Sequence, residues 1–327
     1  RRLPARDRPV AGLAVLELRS PEDAFERIEA YLRERGFFEP GAEDLVADLY
    51  LGYGLSEPLR RTAVPAPPEP CAALPLGAVA VRDVGGPGPD TSGRGVSGPG
   101  PLDVRIGPWE RSWTETEYAD AVEAVRDAIG RGDVYQVNLV QHLAADFEGD
   151  AEGLAAALAG FRPRVLEGDG WATVSASPEL FLERSGRRVR TSPIKGTRPL
   201  GEPVEGEKDE AEHVMIVDLE RNDLSRVCEP GSVVWPELMV ERELAGVTHL
   251  VSTVEGTLRE DVGLAALLTA TFPGGSVTGA PKLAALDLIA AREPVGRGAS
   301  MGALGTVRGN GDLDLALTIR TFAVADR

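Results

Sequence analysis

Apolar positions recur along this 327-residue chain with two different periods, and the switches between them outline its elements. Over residues 21–35 the spacing is helical and ends at Gly36, which predicts an amphipathic helix. A second helical stripe, Tyr118, Ala121, Val122, Val125 and Ile129, follows Thr114 and Glu117, the spacing of a capping box. Gly130 and Gly132 stop it. Over 134–143 the period drops to two, a strand with Gln136, Asn138, Val140 and His142 on one face. Residues 171–183 and 187–192 read as a hairpin turning at Ser185-Gly186. Residues 207–224 read as a helix and 232–238 and 249–258 as strands. Helices over 262–271 and 281–292 flank a glycine-rich turn. Strands over 300–308 and 313–324 close the chain through Asn310-Gly311, a tight-hairpin dipeptide. Hairpins mixed with long helices, without a strand–helix–strand alternation, predict an α+β fold.

Composition adds a boundary. From Gly54 to Pro101 the chain turns to Pro, Gly and small residues, and within 84–101 these make 11 of 18 positions Gly or Pro, too few apolar groups to pack, so a mobile loop is expected there. The expected organisation is an N-terminal α/β region over 1–53, a Pro/Gly-rich linker or loop over 54–108, and a main domain over 109–327. No stretch carries the ~18 uninterrupted apolar residues of a membrane span. The basic, proline-punctuated first ten residues do not read as a secretory signal. Cys71 and Cys228, far apart in sequence, read as free thiols in a reducing cytoplasm.

A net charge of −17 argues against a nucleic-acid surface. It also sets a condition: an anionic ligand would need positive charge gathered locally. Of 35 basic residues only Lys195, Lys208 and Lys282 are lysines. Arginine cannot give up its proton to become an amine nucleophile, so each lysine carries its own question.

Five segments carry candidate chemistry. In Ser192-Pro193-Ile194-Lys195-Gly196-Thr197 a lysine ends a strand between Pro and Gly, either a surface turn or a place where a ligand meets backbone closely. Ser177-Pro178-Glu179 lies on the neighbouring strand, so Glu179 is either an ordinary cross-strand partner or an acid–base group. Asp209 and Glu212 share a helix face, as a solvated acidic first turn or as a site for a hard cation such as Mg²⁺. The glycine-rich run from Phe272 to Lys282, including Gly275 and Ser276, lacks phosphate-loop spacing and suits a carboxylate cradle with Lys282 in the first helical turn. Arg320, inside an apolar strand, needs a carboxylate, from the protein or from a ligand.

Together these segments resemble the chorismate-utilising enzymes. The likeness runs from about Trp109 onward through GDVYQVNLVQ (132–141), SASPELFLE (175–183), PIKGTRP (193–199), EHVMIVDLERNDLSRV (212–227), HLVSTVEG (249–256), FPGGSVTGAPK (272–282) and LTIRT (317–321). The PIKGT form is similar to the aminodeoxychorismate synthase branch, where the lysine is the nucleophile. Anthranilate synthases usually carry alanine there. The resemblance implies large mixed or antiparallel sheets with helices packed outside. It implies amination of chorismate at C4 to 4-amino-4-deoxychorismate, toward p-aminobenzoate for folate or a secondary metabolite. Lys195 would attack the ring at C2, an attack that needs a neutral amine.

By the same resemblance Glu179 is the acid–base group, and Ser276, Arg320, His249, Lys282 and Gly275 hold the substrate. Glu212, with Asp209 as outer partner, holds Mg²⁺ against the ring carboxylate. No glutaminase constellation is visible, so ammonia is expected from a glutamine amidotransferase subunit or domain. The family continues past the IRT strand with a glycine-rich strand and a helix, so the catalytic domain is expected to be C-terminally incomplete at Arg327, and Ser300 stands where relatives often have an aromatic residue. The rival readings are an anthranilate synthase component and a non-catalytic chorismate-binding module.

Overall fold

A computed structural model describes residues 15–83, 104–202, 207–244 and 246–325, without the side chains of residues 83, 207–209 and 244. The 84–101 loop therefore lies outside the described residues, as do the side chains of Lys208 and Asp209.

Strand β1 (Val15–Leu18) leads into helix α1 (Ala24–Arg33), which buries Ala24, Ile28 and Leu32, one residue per turn on a single face. Strands β2 (Leu45–Leu51) and β3 (Gly77–Asp83) follow and pair antiparallel. β3 lies inside the stretch expected to be a linker or loop. Its Gly, Ala and Val residues are a weak strand signal alone, but β1 and β2 flank it on both sides and satisfy its backbone. After the short β4 (Arg105–Ile106) and β5 (Glu110–Arg111) comes α2 (Glu115–Arg131). Its capping box forms as expected. The Glu117 N–H donates to the Thr114 hydroxyl at 3.2 Å, and the Thr114 N–H donates to the Glu117 carboxylate at 2.8 Å. The left-handed Gly132 (φ 81°) ends the helix, with Gly130 still inside it.

The continuous strand expected over 134–143 is instead β6 (Gln136–Val137), an extended unpaired middle, and the start of β7 (Leu143–Ala144). The middle donates to non-strand partners: Asn138 N–H to the Thr278 carbonyl and Val140 N–H to the Glu293 carboxylate, both at 3.0 Å. Alternation recorded an extended backbone but not what it pairs with. Then come β8 (Phe147–Glu148), α3 (Ala151–Ala157), β9 (Arg164–Gly168), β10 (Trp171–Ser175), β11 (Leu180–Ser185), β12 (Arg188–Ser192) and β13 (Ile194–Pro199). The long α4 (Glu207–Ser225) precedes the paired β14 (Val234–Leu244) and β15 (Val247–Thr257). Helix α5 (Leu264–Thr271), the short β16 (Gly279–Ala280), α6 (Lys282–Arg292), β17 (Ala303–Arg308), β18 (Leu313–Leu317) and β19 (Thr321–Ala325) complete the described chain.

Ten strands form one antiparallel sheet in the order β1-β3-β2-β17-β18-β11-β12-β15-β13, with β14 along the other side of β15. A smaller sheet runs β19-β10-β9. The fold is α+β, as expected. Two expected strands break, however. The 171–183 run divides into β10 and β11, and the 313–324 run into β18 and β19, with one half of each in each sheet. Because β11 pairs β18 and β10 pairs β19, the two strands leave the large sheet together. The breaks are stitched by Leu317 N–H to the Glu179 carbonyl at 2.9 Å and Ala176 N–H to the Arg320 carbonyl at 3.1 Å. Pro178, which cannot donate to a ladder, sits at one of them.

Helices α1, α4 and α5 contribute to the main core, where Ile28, Leu32, Leu49, Leu182, Val254, Leu267, Leu268 and Leu315 are buried. Phe272 packs edge-on to Phe25 and Phe181 there. Each such side chain contributes about 1.5–3 kcal/mol on burial. The core thus anchors the Phe272 end of the 272–282 turn, and Val277 within it is buried in the same cluster. Cys71 and Cys228 are free thiols.

Candidate active site

Lys195 sits at a β-bulge. In the β13–β15 pairing, Lys195 faces Leu250 and Thr197 faces His249, which leaves Gly196 unpaired at φ 67°, a conformation that favours glycine. Pro193 separates β12 from β13 while both stay on the same side of β15. Thus the Pro and Gly around Lys195 have separate jobs, one ending a strand and the other making the bulge. The Lys195 ammonium donates to the Ser276 carbonyl at 3.0 Å and lies 3.5 Å from Glu212 Oε1.

Glu179 stands at the break between β10 and β11 and is only 5% exposed. The Ser276 hydroxyl donates to its Oε1 at 2.6 Å, and the Ile194 N–H donates to the same atom at 3.3 Å. Burial raises its proton affinity above that of an ordinary carboxylate; the Ser276 bond, the Lys195 charge and the Ile194 N–H act the other way. Ser276 is therefore the junction between the lysine and the acid.

The turn carrying Ser276 is held from behind. The Gly275 N–H donates to Glu220 Oε1 at 3.0 Å. Lys282 forms an ion pair with Asp223 and donates to the Thr271 carbonyl at 3.1 Å. The expected carboxylate cradle thus has two of its donors engaged inside the protein, because α4 brings Glu220 and Asp223, one turn apart, against the glycine run. Burial, followed by the charge of Asp223, pushes Glu220 up to about 7 against the pull of Lys282. Arg297 and Glu293 form a buried pair, Nε to Oε2 at 2.9 Å and a terminal nitrogen to Oε1 at 2.7 Å. The same guanidinium donates to the carbonyls of Val277, at 2.8 Å, and Asn138, and lies 4.4 Å from the Tyr53 ring centre.

Arg320 corrects another expectation. It lies not within a strand but in the break between β18 and β19, exposed, with φ 51°. Among the described residues its guanidinium has no ion-pair partner, so no internal carboxylate answers it and a ligand can. His249 is fixed through Nδ1 to the Thr197 hydroxyl at 2.8 Å. Burial, and then the nearby Arg320 charge, lower its proton affinity.

Gln136 and His213 had no role legible in sequence. The Gln136 amide donates to Glu212 Oε1 at 2.6 Å. Fully buried His213 has its proton affinity pushed down to about 4 by burial and then by the Lys195 charge, with Glu212 opposing. Gln136 Oε1, both ring nitrogens of His213, His249 Nε2 and Thr318 Oγ1 are buried without protein partners. Buried polar atoms are normally satisfied, and those of Gln136 and His213, beside Glu212 and Lys195, suit a polar ligand. Among the described residues, no group of three or more His, Cys, Asp or Glu gathers as a metal cage. Glu212 still fits a hard cation that takes one or two carboxylates and completes its shell with water and substrate oxygens. No helix among the described residues is long and apolar enough to cross a membrane.

The chain is 42% identical over 229 residues to aminodeoxychorismate synthase component 1 of Salmonella typhimurium, covering 65% of this chain and 50% of that protein. It is 39% identical over 251 residues to anthranilate synthase component 1 of Streptomyces coelicolor, covering 72% of this chain and 49% of that protein. The chain thus spans about half the length of the curated relatives it matches. Its fold is similar to that of anthranilate synthase component I from Streptococcus pneumoniae, with a TM-score of 0.76 at 23% identity over 99% of this chain and 88% of that one. The menaquinone-specific isochorismate synthase of Escherichia coli follows at 0.68 and 16%, over 95% and 75%. The sequence pattern of the chorismate binding enzymes matches residues 96–327, and the chain belongs to that family.

Proposed function

We propose that this chain is the chorismate-binding, lysine-bearing component of an aminodeoxychorismate synthase, aminating chorismate at C4 toward p-aminobenzoate. One observation carries the reading: a lysine amine and a buried acid are joined through Ser276 in a site with unpartnered polar groups. An alanine at position 195 would leave the acid with no nucleophile beside it. The anthranilate synthase reading draws on a 39% identical relative, and Lys195 weighs against it.

In the proposed reaction the neutral Lys195 amine forms a bond to ring C2 while the 4-hydroxyl leaves, taking a proton from Glu179. Ammonia then adds at C4, and the lysine departs from C2 with its bonding pair. Arg320, beside His249, pairs with the enolpyruvyl carboxylate. Gly275 and Lys282 hold the turn that presents Ser276. Magnesium on Glu212, with Asp209 as outer partner, would supply the positive charge that the ring carboxylate needs in a chain of net charge −17. Ammonia would come from a glutamine amidotransferase subunit or domain; the words "component 1" in the relatives' names support a second component. The free thiols fit a cytoplasmic setting.

The test is product analysis after incubation with chorismate, ammonium and Mg²⁺. Aminodeoxychorismate, identified by mass, is the expected product. Fluorescent anthranilate as the main product would move the chain to the other branch, and chorismate binding without turnover would leave it a binding module.

A further inference from the structure

The Lys195 ammonium has two acceptors in the site, the Ser276 carbonyl at 3.0 Å and Glu212 Oε1 at 3.5 Å. They come from distant segments. Ser276 belongs to the glycine-rich turn, whereas Glu212 is held by the Gln136 amide at 2.6 Å. The spacing of the two acceptors therefore depends on how the turn is fixed against the segment that carries Gln136. The β6–β16 ladder, Gln136 with Ala280 and Val137 with Gly279, begins that connection. The Asn138 N–H extends it to the Thr278 carbonyl at 3.0 Å, still short of Ser276.

Arg297 closes the gap. Its guanidinium donates to the Val277 carbonyl at 2.8 Å and to the Asn138 carbonyl, so one planar group joins the residue after Ser276 to the segment of Gln136. The Asn138 side-chain amide donates to the same Val277 carbonyl at 3.2 Å. Glu293 holds the guanidinium from behind and also accepts the Val140 N–H at 3.0 Å. The Tyr53 ring lies 4.4 Å from the guanidinium carbon, and its hydroxyl donates to Thr278 Oγ1 at 3.3 Å. Arg297 is only 2% exposed, and a buried ion pair gains little over apolar residues of the same volume. What apolar side chains could not supply is the fork, a rigid set of donors that holds two carbonyls at a fixed separation.

We propose that Arg297 is a positioning residue for Lys195: it sets the spacing between the Ser276 carbonyl and the Gln136–Glu212 pair, and so the aim of the lysine amine, without touching it. The consequence for the reaction rests on the reading of Lys195 as the nucleophile. An attacking amine must meet its carbon within a narrow range of distance and direction, and a misplacement of about 1 Å can cost about 10²-fold in rate. Arg320 meets the substrate from the β18–β19 break, on neither of the segments that Arg297 joins. Affinity should therefore fall far less than rate.

The test compares wild type with two variants. Arg297→Lys keeps a cation against Glu293 but loses the fork, and Asn138→Ala removes the second donor to Val277 while leaving the ion pair in place. Trace acetylation followed by peptide mass spectrometry reads the amines directly. The labelling rate of Lys195 relative to Lys282 should change at least about threefold in both variants, the equivalent of one loosened hydrogen bond, because Lys282 answers to Asp223 instead. In Arg297→Lys, single-turnover capture of chorismate on Lys195 without ammonia should fall about 10–10²-fold per folded molecule, with chorismate affinity within about threefold. A labelling ratio unchanged from wild type, as when the whole fold loosens and both lysines react faster together, overturns the proposal. Capture at the wild-type rate does the same. Asn138→Ala decides through its labelling ratio if Arg297→Lys fails to fold. A wild type that captures no chorismate would remove the nucleophile reading and leave the labelling ratio to decide the positioning.

Discussion

Lys195 and Glu179 are held by opposite ends of one residue: the lysine ammonium by the Ser276 carbonyl at 3.0 Å, the carboxylate by the Ser276 hydroxyl at 2.6 Å. Ser276→Ala should therefore separate the two. The main-chain contact to Lys195 would survive, while Glu179 would lose the bond that favours its ionised form, so its proton affinity should rise. If Glu179 acts as an acid, the alkaline limb of the pH–rate profile should move to higher pH. A shift toward lower pH would count against the Ser276 contact as the controlling one.

On the proposed reading, in which Arg320 and the groups around Glu212 hold the substrate's charges, Lys195→Ala should abolish covalent capture of chorismate and leave its binding largely intact. Lys195→Arg should do no better, because guanidinium does not give up its proton. Mass spectrometry of protein exposed to chorismate without ammonia is the check. An adduct persisting in Lys195→Ala would remove the nucleophile assignment. A fall of only ~10²–10⁴-fold in ammonia-dependent turnover would make Lys195 a proton-transfer group instead.

Arg297→Ala should cost about 3–5 kcal/mol, since it leaves Glu293 buried and unpaired. It would also free the Val277 and Asn138 carbonyls. Arg297→Lys should recover only part, because one ammonium cannot reproduce a planar fork that meets a carboxylate and two carbonyls. Denaturant unfolding measures both, and a loss under about 1 kcal/mol for Arg297→Ala would show that the pair is not holding the turn.

His213 should make the protein sensitive to acid. Its folded-state affinity is lowered to about 4 from 6.5, so the unfolded chain takes up the proton first as pH falls. The corresponding stability is fully present above pH 6.5 and is lost progressively down to about 4, on the order of 1–3 kcal/mol in all. Thermal unfolding of His213→Gln between pH 7 and 4 should decline less steeply than that of wild type. Parallel curves would mean that His213 titrates normally.

Gly279→Ala should destabilise by more than about 1 kcal/mol, whatever else compensates. Gly279 has φ 133°, and a Cβ there would sit 2.2 Å from the Gln136 carbonyl oxygen, across the β16–β6 pairing. The same pairing carries Gln136, whose amide holds Glu212. The melting temperature and chorismate affinity should fall together; an unchanged melting temperature would refute the steric argument.

Features built from near neighbours in the chain were legible without the fold. The Thr114–Glu117 cap, the α1 face of Ala24, Ile28 and Leu32, and the Asn310-Gly311 hairpin each depend on residues a few positions apart, so their physics is contained in the sequence. Lys195 stood out for the same reason, through residue type and immediate neighbours, whereas Glu179, Glu212 and Ser276 took their expected roles from the family resemblance. The breaks at Glu179 and Arg320 did not stand out. Each run keeps a strand-like composition across its break, and what divides it is the pairing of β10 with β19 and β11 with β18, set by strands more than a hundred residues apart.

Nor could the sequence by itself say what meets the glycine-rich turn. Its glycines and Lys282 suggested a place for a ligand's carboxylate, whereas α4 supplies Glu220 and Asp223 to those donors. Composition and short-range spacing determined the fold class, the caps and the residue types able to do chemistry, because those follow from the chain's local sterics and hydrogen bonding. Only the tertiary structure decided which of them meet and which are left without a partner. A carboxylate's proton affinity and an arginine's availability depend on the charges and burial that distant segments bring to them.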